Sequence, residues 1–268
     1  MESSQVTILG ARGGVPVSGA EYSRYGGATA CVLLETASEA LVFDAGTGLL
    51  NLPKRVWKQH KRVHLFFSHF HMDHLLGIPM CPMLFDREAE VVLYAPDADK
   101  IRGALDQMLQ SPLWPVGREV FPAKISYRSL GLEERIENSS MIIRHMPTSH
   151  PDGCCAYRAQ WEDHSLVYAT DCEPDEEGRR SMEEFAKDAQ LFILDAQYTR
   201  DEYQKYRGYG HSDIDTSADL ILGSGARLGM LFHHAPTRTD EQLEQIAEYV
   251  KQKGKQIVVA KEGNRVQL

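Results

Sequence analysis

The chain has 268 residues, 43% of them hydrophobic and 25% charged, a globular balance that excludes collagen-like, low-complexity and disordered polymers. A formal net charge of −9 argues against tight non-specific binding to nucleic acid, which needs a basic face. No linker, charge block or repeat divides the sequence, so one domain over residues 1–268 is expected. The polar start and the lack of any apolar run near the roughly 20 residues that span a bilayer exclude a membrane span and point to the cytoplasm.

In chain order, short runs rich in β-branched and aromatic residues predict strands at Val6–Leu9, Ala30–Thr36, Ala40–Phe43, Val63–Phe67 and Val91–Tyr94. A helix follows over Ala98–Gln110, because Ile101, Ala104, Leu105 and Met108 fall at i, i+3, i+4 and i+7. Further strands are predicted at Met141–Arg144, Cys155–Gln160, Ser165–Ala169 and Leu191–Leu194. A helix over Asp213–Leu222 takes Ser212 as its expected N-cap. A strand at Gly229–Phe232 precedes the helix Asp240–Lys253, where Thr239 and Gln242 form a capping box, and Gln256–Ala260 ends the series. Early strands lie close together and later ones alternate with helices, which predicts a layered α/β fold. Cys31, Cys81, Cys154, Cys155 and Cys172 make no CxxC pair, so they read as small buried apolar residues.

One segment carries chemistry. The strand Val63–Phe67 ends, and His69, His71, Asp73 and His74 follow within six residues. In extended chain, His69 and His71 point the same way, and Asp73 and His74 turn toward a second centre. So dense a set of imidazole and carboxylate after a buried strand has no packing purpose. It suits zinc, iron or manganese, and the lack of thiolate argues against a purely structural zinc site. His60 and His64, just upstream, read as scattered surface histidines.

With these residues the sequence resembles the metallo-β-lactamase superfamily, whose HxHxDH signature is matched by His69, His71, Asp73 and His74. The resemblance implies an αββα sandwich, two mixed sheets flanked by helices. It implies that His69, His71 and His150 hold one divalent cation, and that Asp73, His74 and His233 hold a second, bridged by Asp171. His234 competes with His233, which is preferred because Pro236 follows it by three. The implied cofactor is a pair of divalent cations, zinc first, with manganese or iron as alternatives. Asp44 is expected to orient a ligand histidine.

Two more features are similar to the tRNase Z branch: Gly208-Tyr209-Gly210-His211-Ser212 before a helix, and Leu194-Asp195-Ala196 at a strand end. There His211 would be the general acid and Asp195 its orienting carboxylate, although tRNase Z proteins more often carry Glu at that position; Asp73 would serve the metal-activated water. The segment Gly10–Pro16 with Arg24-Tyr25-Gly26-Gly27 resembles bacterial and phage cyclic-nucleotide phosphodiesterases of the anti-Pycsar type. Its glycine-rich backbone would approach a phosphate closely. In Tyr198–Tyr209, four tyrosines with Lys205 and Arg207 could stack a base and meet a phosphate, or pack as a mobile surface loop.

The expected activity is a metal-dependent phosphodiesterase acting on a cyclic mononucleotide, with a small nucleotide preferred over nucleic acid because of the net charge and the missing basic arm between His150 and His211. The alternatives are a tRNA 3′-processing endonuclease, a lactone or thioester hydrolase, and a non-enzymatic nucleotide sensor. A homodimer is expected, with Leu113-Trp114-Pro115-Val116 as its candidate interface.

Overall fold

A computed structural model describes residues 4–60, 62–136 and 139–268. One seven-stranded sheet contains β1 (Gln5–Gly10), β2 (Cys31–Glu35), β3 (Ala40–Phe43), β4 (Val63–Phe66), β5 (Glu90–Ala95) and β6 (Lys124–Ser129). β14 (Arg265–Gln267) pairs antiparallel with β1 at its edge. The second seven-stranded sheet contains β7 (Glu133–Arg135), β8 (Ile142–Thr148), β9 (Cys154–Trp161), β10 (His164–Ala169), β11 (Leu191–Asp195), β12 (Leu228–Phe232) and β13 (Ile257–Val259), in that spatial order. Each sheet changes from antiparallel to parallel pairing partway across. The change falls at β3 in the first sheet and β10 in the second.

The strands that lie between two layers read as continuous apolar runs because both of their faces are buried. In β3, Ala40 and Val42 face one core while Leu41 and Phe43 face another. In β11, Leu191 and Ile193 face the core between the sheets, and Phe192 and Leu194 face an outer core. The two outer cores are covered by helices. α1 (Lys54–Gln59) and α2 (Ala98–Met108) cover the first sheet through Val56, Trp57, Ile101 and Leu105. α3 (Glu176–Phe185), α5 (Ile214–Ser224) and α6 (Asp240–Lys253) cover the second through Met182, Ala218, Ile221, Leu243 and Val250. The layers are therefore helix, sheet, sheet, helix, as the resemblance implied.

Three local expectations change. The N-cap of α5 is Asp213, whose carboxylate accepts from the backbone N–H groups of Asp215 and Thr216; Ser212 donates to the Cys172 carbonyl instead. His64 is not a surface histidine. It lies buried on β4 against the Tyr94 ring, with Nδ1 3.0 Å from the tyrosine hydroxyl. Part of the Tyr198–Tyr209 segment is a helix, α4 (Arg200–Tyr206), started by a capping box between Thr199 and Glu202. All five cysteines are free and buried.

Candidate metal centre

Except for His211, which lies in the loop between α4 and α5, every residue expected at the site lies at or just beyond the carboxyl end of a strand. Asp44 follows β3, Ser68–His74 follow β4, His150 follows β8, Asp171 follows β10, Asp195 ends β11 and His233 follows β12. β3 and β4 run parallel, as do β10, β11 and β12, so these ends gather along one edge of the sandwich, where open α/β sheets bind their ligands. Asp44, Asp171 and His233 have φ of 59°, 51° and 61°, backbone that non-glycine residues seldom adopt. Such strain persists only where the surroundings hold it in place.

The side chains form two overlapping groups. His69, His71 and His150 offer ligand atoms within 4.8 Å of one another, and Asp73, His74 and His233 do the same. Asp171 stands between the groups. Its Oδ1 lies 3.6 Å from His69 Nε2 and 3.9 Å from His150 Nε2, and its Oδ2 lies 3.3 Å from His74 Nε2 and 3.2 Å from His233 Nε2. His233 belongs to the cluster and His234 does not. The His234 Nε2–H donates to the Ala260 carbonyl, and burial lowers its pKa to about 3.

Hydrogen bonds around the cluster set the tautomers. Asp44 is buried and accepts from the Ser68 backbone N–H, the Ser68 hydroxyl, His74 Nδ1–H and the Tyr168 hydroxyl, at 2.7–2.8 Å. Ser68 thereby spends its only hydroxyl proton, so its Oγ accepts from His69 Nδ1–H at 3.1 Å. His150 Nδ1–H donates to the Gly210 carbonyl at 3.0 Å. The Nε2 atoms of His69, His74 and His150 are left facing the cluster, the arrangement in which outer partners orient metal-binding imidazoles. His69 Nε2 and His74 Nε2 are buried and have no hydrogen-bond partner among the described residues. Orphaned nitrogens of this kind are costly unless a cation takes their lone pairs. Burial and His74 hold the His69 imidazolium well below its usual pKa, and burial also lowers that of His150, so both favour the neutral, ligating form. Burial would raise the Asp73 carboxyl, but His74 and His233 reverse this and hold it well below the carboxylate range. The residues fit a pair of divalent cations, with Asp171 placed to touch both.

Behind this centre, His211 Nδ1–H donates to Asp195 Oδ2 at 2.9 Å, and the His211 ring stacks on that of His233 with centroids 5.0 Å apart. Burial lowers the imidazolium pKa of His211, but Asp195, helped by Asp171 and Asp73, outweighs it and raises the value to about 9. Cations next to Asp171 and Asp73 would cancel much of that help and bring His211 closer to neutrality. Tyr198 is buried, with its ring edge-on to His211 at 5.7 Å, and Tyr206 stacks on it. Tyr206 and Tyr209 are exposed.

The glycine-rich N-terminal segment also reaches the centre, in a role other than the one expected. The backbone N–H of Gly14 donates to Asp73 Oδ2 at 2.6 Å, so it steadies a carboxylate and is not free for a phosphate. A Cβ on Gly13 would come within 2.4 Å of the His233 ring, so the close approach requires glycine. Arg12 is buried and ties this segment to the Gly26 and Arg238 carbonyls. Sequence reasoning missed Ser68 and Tyr168, and expected Gly14 near a phosphate where it meets Asp73. Ser68 directly precedes the histidine motif, which was the available signal; Tyr168 carried none, since in an apolar strand it reads as core.

Comparison with known proteins agrees with this geometry. The family model described as the β-lactamase superfamily domain matches residues 39–234. The ribonuclease Z of Haloarcula marismortui is 24% identical over 85% of this chain and 85% of its own length. The metallo-β-lactamase fold protein YhfI from Bacillus subtilis superposes with a TM-score of 0.74 at 20% identity, covering 100% of both chains. A diphosphatase from the PhnP family superposes with a TM-score of 0.71 at 20% identity, covering 99% of this chain and 98% of that one. Family model, sandwich and histidine–aspartate cluster agree: the chain belongs to the β-lactamase superfamily of metal-dependent hydrolases, on a branch similar to ribonuclease Z.

Proposed function

We propose that this hydrolase is a phosphodiesterase that opens a cyclic mononucleotide. The observation that carries the reading is the His211–Asp195 pair beside the metal cluster. Cleaving a phosphodiester releases an alkoxide, which leaves poorly without a proton, and His211 Nε2 is the ring nitrogen that Asp195 leaves free to supply one. A pair of divalent cations, zinc first, with manganese or iron as alternatives, supplies a bound water of lowered pKa when present. His69, His71 and His150 would hold one cation and Asp73, His74 and His233 the other, with Asp171 between them. The water gives up a proton to solvent, its oxygen bonds to phosphorus, the P–O ester bond opposite breaks, and the departing oxygen takes the His211 Nε2 proton to give a nucleoside monophosphate; His211 then regains a proton from solvent.

The ribonuclease and diphosphatase names of two similar proteins support phosphate chemistry. The surroundings support a small substrate. A cavity of about 450 Å³ borders His69 and His71, walled by Phe70, Pro96, Pro147 and Cys154. A second of about 910 Å³ borders His150, with Arg179, Arg200, Tyr203 and Arg207 in its walls. Both lie in the roughly 300–1,000 Å³ range of small-molecule sites. With the net charge of −9, this favours a mononucleotide over tRNA. Metal-loaded protein should hydrolyse at least one member of a panel of 2′,3′- and 3′,5′-cyclic nucleotides faster, in kcat/KM, than a 3′-extended tRNA precursor. Faster tRNA cleavage would instead make it a processing nuclease, and turnover of lactones or thioesters alone would end the phosphodiesterase reading.

The reading includes a homodimer formed through residues 113–116, where Leu113 and Val116 are exposed while Trp114 packs against the first outer core. Sedimentation at micromolar concentration should show twice the chain mass, and Leu113→Lys should shift it to the monomer; a monomeric wild type excludes this interface.

A further inference from the structure

The loop that presents His211 is held by little packing. Gly208 and Tyr209 are exposed, and Gly208 and Gly210 have φ of 89° and 88°. Asp195 holds its far end, at His211 and Ser212, and a second carboxylate holds the turn before them. Glu173, two residues beyond Asp171, accepts from the Gly208 backbone N–H at 2.8 and 2.9 Å through its two oxygens, and from the Gly210 N–H at 2.8 Å. Its own backbone N–H donates to the Ser149 carbonyl at 2.9 Å, which fixes it beside His150. The loop held in this way does two things. The Gly210 carbonyl accepts His150 Nδ1–H and so aims His150 Nε2 into the cluster. The next residue is His211. Gly210 admits no side chain, since a Cβ there would lie 2.0 Å from His150 Nδ1.

We propose that Glu173 is a positioning residue that sets the His150 ligand and the His211 proton donor together, by occupying the paired N–H groups of Gly208 and Gly210. Successive backbone N–H groups around left-handed residues form an anion-binding concavity. Here the anion is built into the chain, at the end of the strand that also delivers Asp171. Hydrogen bonds from backbone N–H groups to a carboxylate are charge-assisted and strong, so this side chain can hold a turn whose tip, Gly208 and Tyr209, is exposed. On the metal side the inference is independent of substrate; on the His211 side it rests on the phosphodiesterase reading.

The test compares wild type, Glu173→Ala and Glu173→Gln. Zinc affinity of the metal-free proteins is measured by chelator competition, and kcat and KM are measured with a cyclic nucleotide and with a p-nitrophenyl phosphodiester. Glu173→Ala should weaken one of the two zinc equivalents by about 10–100-fold, the usual effect of losing an outer partner of a metal-binding histidine. It should also lower kcat on the cyclic nucleotide by about tenfold more than on the p-nitrophenyl ester, with KM nearly unchanged, because only the former depends on His211. Glu173→Gln keeps an accepting oxygen without the charge and should recover part of both losses. Zinc affinity in Glu173→Ala equal to wild type would overturn the proposal, as would a loss of activity equal on both substrates and no better in Glu173→Gln. If neither substrate is turned over by the wild type, the phosphodiesterase reading fails while the zinc measurement still decides the role of Glu173.

Discussion

Wild-type protein is expected to bind about two divalent cations per chain, and Asp171→Ala to weaken both, whereas Asp73→Ala should release mainly one. The expectation follows from where the oxygens lie. Asp171 Oδ1 faces His69 and His150, and Asp171 Oδ2 faces His74 and His233, so one side chain serves both positions. Of the clustered histidines, Asp73 Oδ2 meets His74 and His233, at 3.3 and 3.2 Å, and it also accepts the Gly14 backbone N–H at 2.6 Å. Turnover by Asp171→Ala should fall by more than the roughly 10–100-fold typical of a residue that merely supports a ligand. Asp44→Asn is the comparison for that smaller class. It keeps the size of a residue that touches His74 and Ser68 but removes the charge that orients them. The readouts are metal content by elemental analysis and melting temperature with and without added zinc. Each site saturated at a hundredfold excess over its Kd adds about 2.7 kcal/mol of stability. Full activity with one equivalent, or an Asp171→Ala protein that keeps two, would refute the shared-carboxylate arrangement.

His211→Ala is expected to lower turnover of a cyclic nucleotide by roughly 10²–10⁴-fold, the usual contribution of a general acid. A p-nitrophenyl phosphodiester, whose leaving group needs little protonation, should be affected much less. Asp195 is the poorer residue for this experiment. Besides His211 it accepts the backbone N–H groups of Ser212 and Asp171, and it lies 3.5 Å from His233 Nδ1. Its removal would disturb the cluster and the proton donor at once. His211 also lies within reach of a ligand set with Asp171, Asp195 and His233, so metal content must be measured in the same preparation. Equal slowing of both substrates would remove the proton-donor role. A lost equivalent of metal would make His211 a ligand.

The sequence by itself determined the layers and most of the histidine–aspartate cluster. Strands buried on both faces carry apolar runs that are legible without a partner, as in Ala40–Phe43 and Leu191–Leu194. The spacing of His69, His71, Asp73 and His74 is a local property of one strand end, so it needs no tertiary information. The strands that escaped notice, β6, β7 and β14, are edge strands with charged residues, where one neighbour is missing and polar side chains blunt the edge. α3 and α4 escaped because they bury Met182 and no residue, respectively. Only the tertiary structure decided between His233 and His234, since both are buried and only the direction of each ring separates a cluster nitrogen from one bonded to Ala260. It alone showed Ser68 and Tyr168 sharing Asp44, Gly14 on Asp73, and Glu173 under the His211 loop. Those contacts join residues from strand ends far apart in the chain, and hydrogen-bond direction across such distances is set by how the two sheets pack, which no local pattern of residues encodes.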